Sequence, residues 1–241
     1  VKPLGGLPFF LHIWGGTEVG KTVGLMLAAS VWANPEVGRY IHTFNSTSVG
    51  REKSAAFVNS LPLILDELQI IKDKKDFDQS IYMLSEGAGR TRGNKSGGVD
   101  KTPTWSNCII TSGEMPITNA SSGGGAVNRI LEVECTERLF DDPRHVANIL
   151  KSNYGFAGKA FVELLQVPEM IEAAQIIYEQ IYAQTKTEDT MEKQAGAAAL
   201  VLTADKLITD WIFKDDKALT VQEISEFLKS KEAVSVNQRA Y

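Results

Sequence analysis

The sequence predicts an α/β fold: a parallel five-stranded sheet between helices, followed by a helical lid and C-terminal helical region. Two patterns predict it. Apolar runs of strand length alternate with helical periodicity through the first half, and that alternation calls for a parallel sheet covered on both faces. From about residue 143 the strand signals stop, and "HVANILKSNYG", "AGKAFVELLQV", "EMIEAAQIIYEQIYAQ" and "AAALVLTADKLITDWIF" all repeat at helical spacing. The predicted division is therefore 1–142 for an α/β core and 143–241 for a helical part.

In order, strands are predicted near 8–14, 40–45, 61–66, 107–112 and 130–135, and helices near 21–33, 51–59 and 76–86. "PFFLHIW" is apolar and aromatic, as a buried strand must be, and "VGLMLAASVWA" has the character of a core helix. "TKTEDTMEKQAG", near 185–196, is polar and reads as a connection within the helical part. No internal repeat is visible.

Composition bounds the function. A hydrophobic fraction of 43% and a charged fraction of 23% are those of a globular protein able to bury a core. Net charge is −5, so no global basic field attracts nucleic acid and any such contact needs a local patch. Cys108 and Cys135 have no metal-type spacing and read as small hydrophobes. No apolar run spans a membrane and no signal peptide is visible, so a cytoplasmic location is expected, and the glycosylation triplet at Asn45 carries no weight. The chain begins with Val1 and reads as part of something longer.

The first motif is "WGGTEVGKT", Trp14 to Thr22, which places Gly15, Gly20, Lys21 and Thr22 at the positions of G-x-x-x-x-G-K-[ST]. Glycines let several N–H groups of Gly15, Gly16, Thr17, Glu18, Val19 and Gly20 turn toward one phosphate cluster. Lys21 adds a charge that reaches the β- and γ-phosphates of ATP, and the Thr22 hydroxyl can ligate Mg²⁺. A strand before the loop and a helix after it set a helix N-terminus against the anion.

The second motif is "LPLILDEL", 61–68, an apolar strand ending in Asp66-Glu67. Asp66 at the strand tip can reach Mg²⁺ through water, and Glu67 can polarise an attacking water. One full strand unit, 40–45, separates the two motifs, as in P-loop ATPases that carry a catalytic glutamate. A third strand, within "WSNCIITSGEMPI", ends in Thr111 and Ser112, either of which could sense the γ-phosphate; Asn107 is a weaker candidate at its start. In "GGGAVNRILEVEC", Arg129 precedes the last core strand, where it could meet a neighbouring subunit's nucleotide, with Arg138 and Arg144 as rivals. "EGAGRTRGNKSGGVDKTPT", 86–104, carries Arg90, Arg92, Lys95 and Lys101 with few core-forming residues, so it should project and could touch a nucleic-acid backbone.

Together, "WGGTEVGKT", "TFNSTSVGREKSAAFVNSLPLILDELQ", "EGAGRTRG", "SGE" and "NYGFAGKAFVELL" resemble the domain of unknown function 927 family of phage and mobile-element replication proteins, over roughly residues 8–165. That family is similar to AAA+ ATPases of the superfamily 3 and minichromosome-maintenance helicase groups. The resemblance implies a hexameric ring that translocates on single-stranded DNA, with primase or initiator domains elsewhere in the full-length protein. By position, Lys21 and Thr22 match the Walker A lysine and hydroxyl, Asp66 and Glu67 match Walker B, Arg129 matches the finger, and 87–104 matches a hairpin inserted before the sensor. The sequence departs at "TSGE", where those helicases usually carry Asn at the sensor. The leading expectation is an ATP-hydrolysing helicase motor using ATP and Mg²⁺. The alternatives are a non-translocating ATP-driven loader and, behind it, a small-molecule phosphotransferase, for which no acceptor motif is present.

Overall fold

The computed structural model describes residues 1–67, 74–93, 96–118, 128–186 and 192–226. Strands β1 (Phe9–Gly15), β2 (Ile41–Thr43), β3 (Leu63–Asp66), β4 (Cys108–Gly113) and β5 (Ile130–Cys135) form one sheet in the order β2-β3-β4-β1-β5. Every neighbouring pair is parallel. The fold is the predicted α/β one, and it is consistent with a P-loop NTPase.

Parallel strands need crossovers, and helices supply them. Helix α1 (Lys21–Ser30) follows β1, α2 (Ser48–Val58) follows β2, and α3 (Lys74–Glu86) comes after β3. Alternation along the strands assigns the faces. On β3, Leu63 and Leu65 pack with Phe10, Phe44, Ala55, Ile81, Leu84 and Trp105. Ile64 points the other way, into Leu25, Met26, Ala29, Ile41 and Leu150. Both faces of β3 are therefore covered, which explains why this inner strand reads as a continuous apolar run, while the edge strands β2 and β5 carry polar residues.

Several boundaries differ from the sequence reading, most in β2, α1 and α2. β2 is only Ile41–Thr43. Helix α1 stops at Ser30, where Trp32 N donates to the Ala29 carbonyl in a tighter turn. Helix α2 starts at Ser48, earlier than predicted, because the Thr47 hydroxyl accepts from Gly50 N at 3.1 Å and caps its first turn.

After β5 come α4 (Pro143–Ser152), α5 (Phe156–Leu165), α6 (Pro168–Thr185) and α7 (Glu192–Ile208), the last continued by a wider turn at Thr209–Phe213. Asp142 caps α4 through His145 N at 2.9 Å, and Pro143 occupies its first turn. These helices pack back on the sheet. Val146, Ala147 and Leu150 of α4 join the α1 face, while Ala197, Ala198 and Leu200 of α7 cover Phe9 and Leu131. Among the described residues, no helix is long and apolar enough to cross a membrane.

Candidate nucleotide site

In a parallel sheet all strand C-termini open on one edge, and ligands bind there. Here the loop after β1, Asp66-Glu67 after β3 and Ser112-Gly113-Glu114 at the end of β4 meet at a cleft of about 500 Å³. Thr17, Glu18, Gly20, Lys21, Thr22, Val23, Arg138 and Pro143 complete its lining. The strand order places β4 between β1 and β3, so its tip lies between the glycine-rich loop and the acidic pair.

The loop's backbone explains its glycines. A Cβ on Gly15 would lie 2.5 Å from the Cys135 carbonyl oxygen, so the close approach of β1 to β5 admits no side chain there. Gly20, at φ 94°, turns the chain into α1 in the left-handed region. No side chain caps α1, so its first N–H groups remain available at the cleft. Glu18 also holds a positive φ, of 67°, as does Glu67, at 59°. Non-glycine residues in this region cluster at ligand-holding sites. Val19 is fastened from outside, its carbonyl accepting from Leu139 N at 2.9 Å.

Lys21 Nζ donates to the carbonyls of Gly15 at 2.8 Å and Gly16 at 2.6 Å, which holds its ammonium over the loop. Thr22 Oγ1 donates to Asp66 Oδ2 at 3.2 Å. The other Asp66 oxygen accepts from Glu67 N at 3.0 Å and from the Ser112 hydroxyl in a short bond. Asp66 is buried, so these bonds fix its carboxylate in one orientation. Glu67 is exposed to the cleft, with its main chain tied to Asp66 and, at 3.4 Å, to Ser112 Oγ.

Ser112 and Thr111 face opposite ways, as neighbours on a strand must. The Thr111 hydroxyl meets Nδ1 of the buried His12 at 2.8 Å. His12 Nε2 donates to the Met115 carbonyl at 2.9 Å, and because a carbonyl only accepts, neutral His12 must take the Thr111 hydroxyl proton at Nδ1. Burial lowers the His12 pKa, against the opposing pull of that carbonyl and of Glu132. His12 thus ties β1 to the segment after β4. In the sequence it was only a histidine in an apolar run.

The remaining predicted site residues separate. Arg138 lines the cleft; Arg144 is exposed on α4 and does not. Arg129 lies at the opposite end of the sheet, before β5, with Nη1 donating to the carbonyl and hydroxyl of Ser85 at 3.0 and 3.2 Å. Asn107 is buried at the start of β4, also far from the cleft edge, and its amide has no hydrogen-bond partner among the described residues. Glu114, which the sequence reading did not single out, lines the cleft and accepts from Thr17 Oγ1 at 3.5 Å. Burial pushes the Cys108 thiol up to about 12, which leaves it no thiolate character near neutral pH.

The described residues of the segment 86–104, 86–93 and 96–104, pair antiparallel as the two arms of a hairpin. Gly89 N donates to the Pro103 carbonyl and Asp100 N to the Arg92 carbonyl, both at 2.8 Å, and Trp105 N to the Gly87 carbonyl at 2.9 Å. Arg90 and Lys101 are exposed. Arg92 is not a free cation: its Nη2 pairs with Glu52 Oε2 at 2.6 Å. Lys95 and the glycines 123–125 lie outside the described residues.

Sheet order, loop and cleft define the class, an α/β protein with the architecture of a P-loop NTPase. Comparison narrows it. Residues 2–105 match the family model described as a domain of unknown function (DUF927). The fold is similar to a solved structure of the active helicase Cch of SCCmec type IV, with a TM-score of 0.69 and 19% identity over 97% of this chain. This chain spans 43% of that helicase chain. No curated protein matches the chain.

Proposed function

We propose that this chain is the ATP-hydrolysing AAA+ motor domain of a replicative DNA helicase from a phage or mobile genetic element, acting as a hexameric ring on single-stranded DNA. The observation that carries the proposal is the convergence on Asp66 of Thr22 Oγ1 at 3.2 Å and of Ser112, inside a cleft floored by the Lys21 loop. The fold's likeness to an active helicase and the basic residues Arg90 and Lys101 on a hairpin support the direction.

The cleft fits ATP and Mg²⁺. Thr22 and Asp66 offer oxygen donors side by side, as a hard cation prefers, and Mg²⁺ bound with phosphates needs few protein ligands. When bound, Mg²⁺ neutralises charge on the phosphates. Lys21 and the N–H groups of the loop and α1 hold the phosphates in place. Glu67 orients the attacking water and accepts its proton. Ser112 holds Asp66 and occupies the sensing position. Arg129 acts on a neighbouring subunit's nucleotide. Residues 1–142 form the ATPase core and 143–241 the helical lid and C-terminal region.

The test is the ATPase rate of a longer chain with and without single-stranded DNA. Stimulation by DNA is expected. Hydrolysis stimulated only by a protein partner would replace the motor with a loader.

A further inference from the structure

Arg92 looks like a DNA contact in the sequence, yet its partner lies beneath it. Glu52, on α2, is 0% exposed, while the Arg92 side chain is 35% exposed above it. The other Glu52 oxygen, Oε1, has no hydrogen-bond partner among the described residues. A buried carboxylate is tolerated only while its counter-charge stays in place. Arg92 therefore cannot turn to a phosphate without stranding Glu52. A second observation places the hairpin on the same spot. A Cβ on Gly89 would lie 2.9 Å from Glu52 Oε2 and 2.7 Å from Pro103 Cγ, so the Gly89 backbone passes directly against the Glu52 carboxylate.

Helix α2 is in turn fastened to the nucleotide edge. Arg51, the residue before Glu52, donates from Nη1 to the Phe44 carbonyl at 3.2 Å. Phe44 N donates to the Asp66 carbonyl at 3.2 Å. A continuous set of bonds thus joins Asp66, through Phe44, Arg51 and Glu52, to Arg92 on the hairpin.

We propose that Glu52 is a positioning residue that anchors the hairpin through Arg92, and that DNA phosphates are met by Arg90 and Lys101 instead. The assignment of DNA contacts rests on the motor reading above; the anchor does not. The test has two arms. The first is hydrogen exchange of the Gly89, Asp100 and Trp105 amides without DNA, in Arg92→Met, Glu52→Gln and the double variant. Arg92→Met should speed exchange on the order of tenfold or more, because it leaves a charge buried alone. The double variant should exchange more slowly than Arg92→Met, since removing the stranded charge relieves the defect. The second arm is the salt dependence of single-stranded DNA affinity in the assembled protein. Arg90→Gln and Lys101→Gln should each reduce the slope by about 0.7, while Glu52→Gln, which removes no cation, should weaken binding with the slope unchanged. Unaltered exchange in Arg92→Met, or no relief in the double variant, would overturn the anchor. A slope lowered by Arg92→Met with exchange unchanged would return Arg92 to the phosphate contacts. Failure of the parent protein to bind DNA would remove the motor reading and leave the exchange arm to decide the anchor.

Discussion

Thr22 Oγ1 lies 3.2 Å from Asp66 Oδ2, joining the first turn of α1 to the tip of β3. The bond brings together two residues whose sequence separation carries no hint of contact. It makes Asp66 the hub of the cleft, because Ser112 and the Glu67 main chain bond its other oxygen.

Loss of Ser112's bond should therefore be felt through Asp66. Ser112→Ala is expected to lower turnover roughly 10–100-fold, as for other residues that orient a metal's ligands. Steady-state kinetics over a Mg²⁺ series measures it. An unchanged rate at every Mg²⁺ level would remove Ser112 from the account.

Its neighbour should behave differently. Thr111→Val leaves buried His12 Nδ1 without a donor and is expected to destabilise the fold by about 1–3 kcal/mol. Urea unfolding measures the loss, and turnover at a temperature where the variant is folded should fall less than in Ser112→Ala. Equal kinetic defects in both variants would contradict the assignment of faces.

His12 also predicts a pH dependence. Its pKa is lowered in the folded state by burial, from 6.5. The unfolded chain then binds the proton more readily, so the His12 contribution is complete above pH 6.5 and is lost as pH falls from there toward the folded value. Unfolding midpoints measured from pH 7.5 to 5 should fall, and His12→Gln should flatten the decline. A decline identical in that variant would assign it to other groups.

Much of this was legible in the sequence, for a physical reason. The phosphate loop's spacing is set by how a backbone wraps an anion, so Gly15, Gly20, Lys21 and Thr22 declare it locally. Both-faced burial made β1, β3 and most of β4 apolar runs, whereas β2 and β5 at the sheet edges carry polar residues. What stayed hidden depends on long-range placement. Thr111 and Ser112 are separated only by the pleat, and which one faces Asp66 is set by the register of β4 against its neighbours β1 and β3. Arg92 reads as a surface cation because its partner Glu52 is on another element, 40 residues away. Glu114 sits past a strand end, where an acidic residue is ordinary.

Arg129 bonds Ser85 in its own chain and lies far from its own cleft, so any catalytic role must be across a subunit boundary. Arg129→Ala and Lys21→Ala proteins should each be inactive, yet regain turnover when co-assembled, because some sites then combine an intact loop with an intact finger. Such a finger contributes on the order of 10³–10⁵ in rate. Co-assembled mixtures as inactive as the parents would exclude Arg129 as that finger.

The central claim is that the cleft between the Lys21 loop and Asp66-Glu67 binds ATP and hydrolyses it with water. The most direct test compares ATP affinity and turnover in the parent protein, Lys21→Ala and Glu67→Gln. Lys21→Ala should lose tight binding, because it removes the charge held over the loop. Glu67→Gln should bind ATP as the parent does and lose turnover by about 10²–10⁴-fold, since an amide cannot accept the water's proton. Full turnover by Glu67→Gln, or undiminished ATP affinity in Lys21→Ala, would contradict the account.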